Sequence, residues 1–210
     1  KTSQVLSWCP TCQIQFGETM IPSYREITGS SLDMTMFPVW LAAQLDALKP
    51  MMTQRVEKRV ALFEYAGELG VMEAVRTLLG AVPGIEIVEI ESSAIGYNGT
   101  ALAPMGQYHA DTVEAALRDA EAAGVDVLVG IYHGDHREFA GREADWPFTL
   151  QNYMELLGES MGFAQADRFK ELKLMKDPDA VLAAAAGMIA EYGLGADEAR
   201  DVVIQDLLEI

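Results

Sequence analysis

The amino-acid sequence predicts an α/β fold, in which a small parallel sheet with crossover helices is followed by a helical C-terminal tail. Three observations lead to this prediction. Residues 125–132 form a nearly continuous apolar run, which is typical of a buried central strand. From residue 60 onward, short apolar runs alternate with segments of helical periodicity, a pattern that favours parallel strands joined by helices. After residue 146 the patterns are helical.

The composition is that of an acidic, globular chain. Half of its 210 residues are apolar, which is enough to form a core, and 15 basic against 32 acidic residues give a formal net charge of −17. This charge disfavours nucleic acids and anionic membranes as partners. Since neither a secretory signal nor an apolar run of membrane-spanning length is found, we expect a cytoplasmic protein without a membrane span.

The first segment, residues 1–58, is predicted to contain a strand, a helix and a polar connector. The apolar run 5–8 predicts a strand that leads into a Cys-Pro-Thr-Cys turn. Apolar residues at helical spacing predict a helix over 36–48, which Pro50 ends. Because the chain enters a strand within five residues of Lys1, we expect a further portion of the protein upstream.

The second segment, residues 59–145, is the predicted α/β domain. Apolar runs predict strands over 60–65, 85–90 and 125–132, and helical periodicity predicts helices over 71–79 and 111–123. In open parallel sheets the working residues follow the carboxyl ends of the strands. The candidate loops are therefore 9–12, 65–66, 96–99 and 133–137.

The third segment, residues 146–210, is predicted to be a helical tail. Its helices are expected over 148–161, 165–173, 178–192 and 196–208. We expect this tail to pack on the sheet or on a partner.

Cys9 and Cys12 are the only cysteines in the sequence. Two thiolates at this spacing can point the same way from a strand-to-helix turn, where the free amides of the helix start stabilise negative charge. The motif fits zinc, an iron–sulfur cluster or a redox disulfide about equally well. Two reduced thiols packed as small core residues are a further interpretation. A disulfide scaffold is excluded, because two cysteines are too few.

A second candidate metal site follows the strand over 125–132. His133, Asp135 and His136 offer imidazole and carboxylate ligands that suit zinc or ferrous iron, and His109 could complete the set.

Two other interpretations of this loop stay open. The loop could be held by hydrogen bonds with Arg137 and Glu138 as an ion pair. Alternatively, His136 and Arg137 could bind an anionic or thiol substrate.

Taken in order, four segments resemble the cysteine-rich (CCG) domains of heterodisulfide reductase B-type subunits. They are the Cys9-Pro-Thr-Cys12 turn, the helix and connector that lead to residues 59–62, the segment 86–99 and the segment 132–138. The same family includes the iron–sulfur subunits of glycolate and lactate oxidases. The resemblance covers about residues 5–140.

The resemblance implies two domains in tandem, each with an isolated cysteine, a Cys-Cys-Gly and a final Cys-x-x-Cys that hold an iron–sulfur cluster. Cys9 and Cys12 are similar to the closing motif of a first domain whose earlier motifs lie upstream of Lys1. Two cysteines cannot hold a four-iron cluster alone, so upstream cysteines or a second copy of the chain must supply the other ligands.

The resemblance also implies that the second domain is degenerate. The positions similar to its cysteine motifs hold other residues: Ala66 for the isolated cysteine, Tyr97, Asn98 and Gly99 for Cys-Cys-Gly, and Tyr132 to Asp135 for the final Cys-x-x-Cys. Together with His136 and Arg137 these residues line the implied site. Without thiolates it cannot hold a cluster in the usual way.

The sequence thus leads to one main functional hypothesis and two alternatives. The main one is an iron–sulfur redox subunit of a heterodisulfide reductase-like complex, which exchanges electrons with a flavoprotein or ferredoxin-like subunit and a thiol or disulfide acceptor. The first alternative is a non-catalytic scaffold or binding module. It would either hold structural zinc at Cys9 and Cys12, with a homodimer supplying four thiolates, or hold no metal. The second is a metal-dependent enzyme that uses His133, Asp135 and His136.

Overall fold

The described strands form two parallel sheets. The computed structural model describes residues 3–67, 69–92, 94, 96 and 103–208. In the smaller sheet, β1 (Gln4–Ser7) pairs with β2 (Asp33–Met36). The strand order of the larger sheet is β4-β3-β5-β6, with β3 Lys58–Leu62, β4 Ile85–Ile87, β5 Val127–Gly130 and β6 Thr149–Asn152. The predicted α/β class with a parallel sheet is therefore confirmed.

A helical segment over residues 10–28 connects β1 to β2, a strand that the sequence analysis did not predict. It consists of α1 (Pro10–Cys12), a π-helical stretch (Gln13–Met20) and α2 (Ile21–Thr28). The buried Gln13 side chain fastens this segment to β2, because its Nε2 donates to the carbonyl of Met34 at 3.1 Å.

Trp8 connects the smaller sheet to the rest of the molecule. Its ring lies 4.9 Å from that of Phe37 and 6.2 Å from that of Tyr153, the residue that follows β6. Phe37 begins α3 (Phe37–Ala43), which is followed by α4 (Leu45–Leu48) and a 3₁₀ turn (Lys49–Met51). The helix predicted over 36–48 is therefore present but interrupted at Gln44.

The core lies around the central strands β3 and β5, whose residues are almost all apolar. Val60 pairs with Val127 and Leu62 with Val129, and all four side chains are at most 2% exposed. Helices α5 (Val71–Gly80) and α6 (Gln107–Ala123) bury their apolar faces in the same core. A parallel strand pair covered on both faces is expected to be apolar throughout, as these strands are.

Residues that were predicted as a loop form α7 (His133–Phe139), which continues into a 3₁₀ segment (Ala140–Asp145). The Asp135 carboxylate accepts a hydrogen bond from the Tyr132 backbone N–H at 2.8 Å. This bond satisfies a donor at the helix start, which stabilises a helix here instead of a loop.

The C-terminal segment begins with a strand where a helix was predicted, because residues 149–152 form β6 at the edge of the sheet. Asn152 then caps α8 (Tyr153–Ser160), since its Oδ1 accepts from the backbone N–H of Met154 at 3.0 Å. The remaining helices are α9 (Arg168–Leu174), α10 (Pro178–Ala184), α11 (Ala186–Tyr192) and α12 (Ala196–Val202), followed by a π-helical turn (Val203–Leu208). They bury a small second core around Leu172, Val181 and Val203. In the part of the chain that the structure describes, no helix combines the length and the apolar character needed to cross a bilayer.

Truncation of the central strand should destabilise the protein strongly. Leu128 is fully buried between β3 and β6, so Leu128→Ala leaves a cavity and should lower the free energy of unfolding by about 3 kcal/mol. As a control, Ile27 is 84% exposed, and Ile27→Ala should change the free energy of unfolding by less than about 0.5 kcal/mol. Urea unfolding of both variants measures the difference, and equal effects would contradict the assigned core.

Candidate functional site

The carboxyl ends of three strands lie close together. Cys9 follows β1, Tyr65 follows β3 and Tyr132 follows β5. The rings of Tyr65 and Tyr132 are 5.5 Å apart. Burial, the charge of Asp135 and the charge of Cys9 all raise the pKa of Tyr132. Trp8, which precedes Cys9, stacks on Tyr153 after β6 at 6.2 Å, so the end of the smaller sheet lies beside the end of the larger one.

Cys9 and Cys12 are both free, partly exposed thiols at the start of the helical segment after β1. Cys9 Sγ accepts a hydrogen bond from the backbone N–H of Cys12 at 3.4 Å. The carbonyl of Cys9 accepts from Ser7 Oγ and from the backbone N–H of Gln13, both at 2.9 Å. These bonds fix the turn and keep the two thiols adjacent.

The two thiols differ in acidity. Burial raises the pKa of Cys9, but hydrogen bonds from Cys12 and Thr11 outweigh burial, so the pKa lies below its ordinary value. The pKa of Cys12 is raised, first by its hydrogen bond to Cys9, then by burial and by the charge of Cys9. Cys9 is therefore the thiol that ionises first. Such a pair can bind a soft metal through two thiolates or form a disulfide on oxidation.

The site has two edges: the cysteine turn after β1 is the first, and the ends of β3 and β5 form the second. Asp135 organises the second edge. Its side chain is buried, and Oδ2 accepts from the backbone N–H groups of Ile131 at 2.9 Å and Tyr132 at 2.8 Å. The Tyr65 hydroxyl donates to Oδ1 at 2.5 Å. Close packing against β5 requires a small residue at Gly130, because a Cβ there would lie 3.2 Å from the Cβ of Asp135.

Burial of the Asp135 carboxyl raises its pKa to about 6, although hydrogen bonds from Tyr132, Tyr65 and Ile131 act in the opposite direction. Burial and the neighbouring Asp135 charge also raise the pKa of Tyr65. The second edge therefore consists of two phenol rings, Tyr65 and Tyr132, and the carboxyl group of Asp135. None of these groups is a thiolate.

The structure does not bring the four predicted metal ligands together. His133 is exposed, whereas Asp135 is buried among backbone donors and Tyr65. His109 contacts Glu138, with Nε2 2.8 Å from Oε2. His136 lies 2.7 Å from Oδ2 of Asp167, also measured from Nε2.

The structure describes only some of the other residues of the implied second site. Ala66 is exposed, and its N–H donates to the carbonyl of Ala94 at 3.4 Å. The predicted lining residues Tyr97, Asn98 and Gly99 lie outside the described residues. The backbone carbonyl of Arg137 accepts from Lys173 Nζ at 2.5 Å.

Sequence reasoning missed a cluster that the helical tail completes. His136, Glu155 and Asp167 each offer one potential ligand atom, and these atoms lie within 4.8 Å of one another. The three residues come from α7, α8 and the N-cap of α9. The only local signals in the sequence were the helix-capping patterns at 152–155 and 167–170, which predict helix starts and not ligands.

A comparison of the chain with protein-family models, with curated proteins and with solved structures found no match in any of the three. The resemblance to CCG domains therefore stays a prediction from the sequence.

The difference in acidity predicts that Cys9 reacts faster than Cys12 with iodoacetamide near neutral pH, because the thiolate is the nucleophile. Fragment-ion mass spectrometry of the peptide that contains both cysteines measures the two rates. In urea, where the hydrogen bonds are lost, the rates should become similar. Equal rates in the folded protein would refute the assigned order of ionisation.

The raised pKa of Asp135 predicts a pH-dependent loss of stability. Between the ordinary pKa of 3.8 and about 6 the carboxyl stays protonated in the folded chain but ionises in the unfolded chain. Stability therefore falls as the pH rises through this window, and the shift corresponds to about 3 kcal/mol. From about pH 4 to pH 7, the free energy of unfolding of the wild type, measured in urea, should fall by this amount relative to that of Asp135→Asn. Exposed Asp46 provides the control, and Asp46→Asn should follow wild type.

Proposed function

We propose that the chain is a cytoplasmic redox subunit in which Cys9 and Cys12 supply thiolate ligands to an iron–sulfur cluster. Electrons pass between a flavoprotein or ferredoxin-like partner and a thiol or disulfide acceptor, as in complexes of the heterodisulfide reductase type. One observation carries the proposal: two adjacent free thiols follow β1, and hydrogen bonds lower the pKa of one of them.

The two thiols fit half of a cluster's ligand set. Four cysteine thiolates hold the common clusters, and the sequence contains two cysteines. The other ligands must therefore come from outside these 210 residues, either from upstream cysteines or from a second copy of the chain. Cys9 and Cys12 are both partly exposed, so the turn leaves room for such an approach.

When bound, a cluster supplies one-electron transfer. The residues of this chain set its surroundings: the N–H of Cys12 donates toward Cys9 Sγ, which stabilises negative charge on the sulfur. Tyr132 is 6% exposed, and the charge of Cys9 contributes to its raised pKa. Reduction of one disulfide to two thiols takes two electrons and two protons, so a one-electron cluster would have to be reduced twice for each disulfide.

The second edge supports a relay instead of disulfide reduction by this chain alone. The buried hydrogen bond between Tyr65 and Asp135 stands where a second cluster would need thiolates. Neither group is a ligand for an iron–sulfur cluster of the common kind. The proposal therefore assigns electron transfer to the edge that carries the two cysteines.

Iron and acid-labile sulfide analysis tests the proposal. Protein purified without oxygen and reconstituted with iron, sulfide and an external thiol should contain both elements and absorb broadly in the visible range. Cys9→Ser and Cys12→Ser should each abolish this absorbance, because each removes a ligand. His133→Ala, which changes an exposed residue outside the cysteine turn, should retain it.

The contrary outcomes are distinct. Colourless protein that binds zinc through Cys9 and Cys12, with two copies sharing one ion, would replace the redox proposal with a structural zinc site. Metal that is lost in His133→Ala but kept in Cys9→Ser would replace it with a metal-dependent enzyme. Protein that holds neither iron nor zinc would refute any metal-binding role for the cysteine turn.

A further inference from the structure

We infer that His136, Glu155 and Asp167 form a binding site for one divalent transition-metal ion, of the size and ligand preference of Zn²⁺, which holds the C-terminal helices against the sheet. The site is independent of Cys9 and Cys12 and goes beyond the proposed redox function. One imidazole and two carboxylates are ligands that zinc and similar ions accept in proteins.

The capping hydrogen bonds use one oxygen of each carboxylate and leave the other oxygen available to an ion. Glu155 uses Oε1 to accept from the backbone N–H of Asn152 at 2.7 Å, which caps α8. Asp167 uses Oδ1 to accept from the backbone N–H of Lys170 at 3.0 Å, which caps α9. The capping bonds therefore fix both carboxylates in place before any ion binds.

The contact between His136 and Asp167 is short but is not a satisfied hydrogen bond. Nε2 and Oδ2 lie 2.7 Å apart, yet Oδ2 is a buried atom without a partner in hydrogen-bonding geometry. The contact is an ion pair without hydrogen-bond geometry, and a buried carboxylate oxygen requires a partner. An ion that binds both atoms, after a small increase in their separation, would satisfy both.

The charges of the cluster also favour a cation. Two carboxylates face one imidazole, so even a protonated His136 leaves a net negative charge. The cations that flank Asp167 in the sequence are engaged elsewhere: Arg168 pairs with Glu171 at 2.9 Å and Lys170 with Glu143 at 2.8 Å. A divalent ion would neutralise the cluster.

A surface groove of about 430 Å³ borders the cluster on the side of Glu155. Its lining also includes Gln165, which lies two residues before Asp167. Ligands of a tetrahedral zinc ion at about 2.0–2.2 Å lie about 3.4 Å apart. The three ligand atoms are within 4.8 Å of one another, and His136 Nε2 and Asp167 Oδ2 are 2.7 Å apart, so small side-chain rotations suffice to reach this geometry.

Zinc and cobalt binding to the double variant Cys9→Ser/Cys12→Ser tests this site, because that variant lacks both thiols. By titration calorimetry it should bind one Zn²⁺ per chain, and zinc should raise its melting temperature. Bound Co²⁺ should show visible absorption without a thiolate-to-metal charge-transfer band. If this variant binds no zinc, the inference is overturned, whatever the result of iron analysis on the wild type.

Conservative variants locate the ligands in the same double-variant background. Asp167→Asn and Glu155→Gln keep a capping oxygen and remove a charge, so the helices should still form. Each of these variants, and His136→Gln, should weaken zinc binding by more than about tenfold and abolish the rise in melting temperature. His109→Gln breaks a similar imidazole–carboxylate pair with Glu138 and should leave zinc binding unchanged. A loss of binding in His109→Gln, or retained binding in the three ligand variants, would overturn the assignment.

Discussion

The pairing of β3 with β5 is the constraint on which the rest of the structure depends. Val60 and Leu62 are in register with Val127 and Val129, and this register places the ends of the two strands beside each other. Tyr65 can therefore reach Asp135, at the start of the next helix, with a hydrogen bond of 2.5 Å. A slip in register would remove this bond and leave a carboxyl group buried without one of its partners.

The two edges of the candidate site have opposite electrostatic character. At the cysteine turn, backbone and side-chain donors lower the pKa of Cys9 and favour an anion. At the second edge, burial raises the pKa of Asp135 to about 6 and that of Tyr65, and so favours neutral groups. Negative charge is thus stabilised near the partly exposed thiols and disfavoured a short distance away. This contrast is compatible with one working edge and one supporting edge.

The sequence predicted those elements whose signal is contained in the element itself. The apolar run around Val127 identified the central strand, and the periodicity before Gly124 identified α6. Strands β2 and β6 were missed because Asp33–Met36 and Thr149–Asn152 are short and partly polar. Residues 149–152 become a strand because β5 offers them a free edge, which is a tertiary effect.

The sequence likewise predicted the part of the candidate site that is a local motif, and missed the part that depends on contacts between distant segments. The Cys9 and Cys12 turn is one local motif, and its position after a strand followed from the apolar run before it. The partners of His136 are Asp167 and Glu155, which lie on other helices, and no spacing rule connects residues so far apart. In α7, by contrast, His133 is exposed, Asp135 is bonded to the helix start and His136 contacts Asp167, so the three side chains have different surroundings.

The parallel order of the larger sheet has a consequence for synthesis of the chain. β3 ends at Leu62, but its neighbour β5 begins only at Val127. At translation rates of about 5 to 20 residues per second, one edge of β3 waits roughly 3 to 13 seconds for its partner on the ribosome. During this interval the apolar half of β3, residues 60–62, has an edge open to other nascent chains. The order of the strands along the chain therefore determines how long this edge stays unpaired.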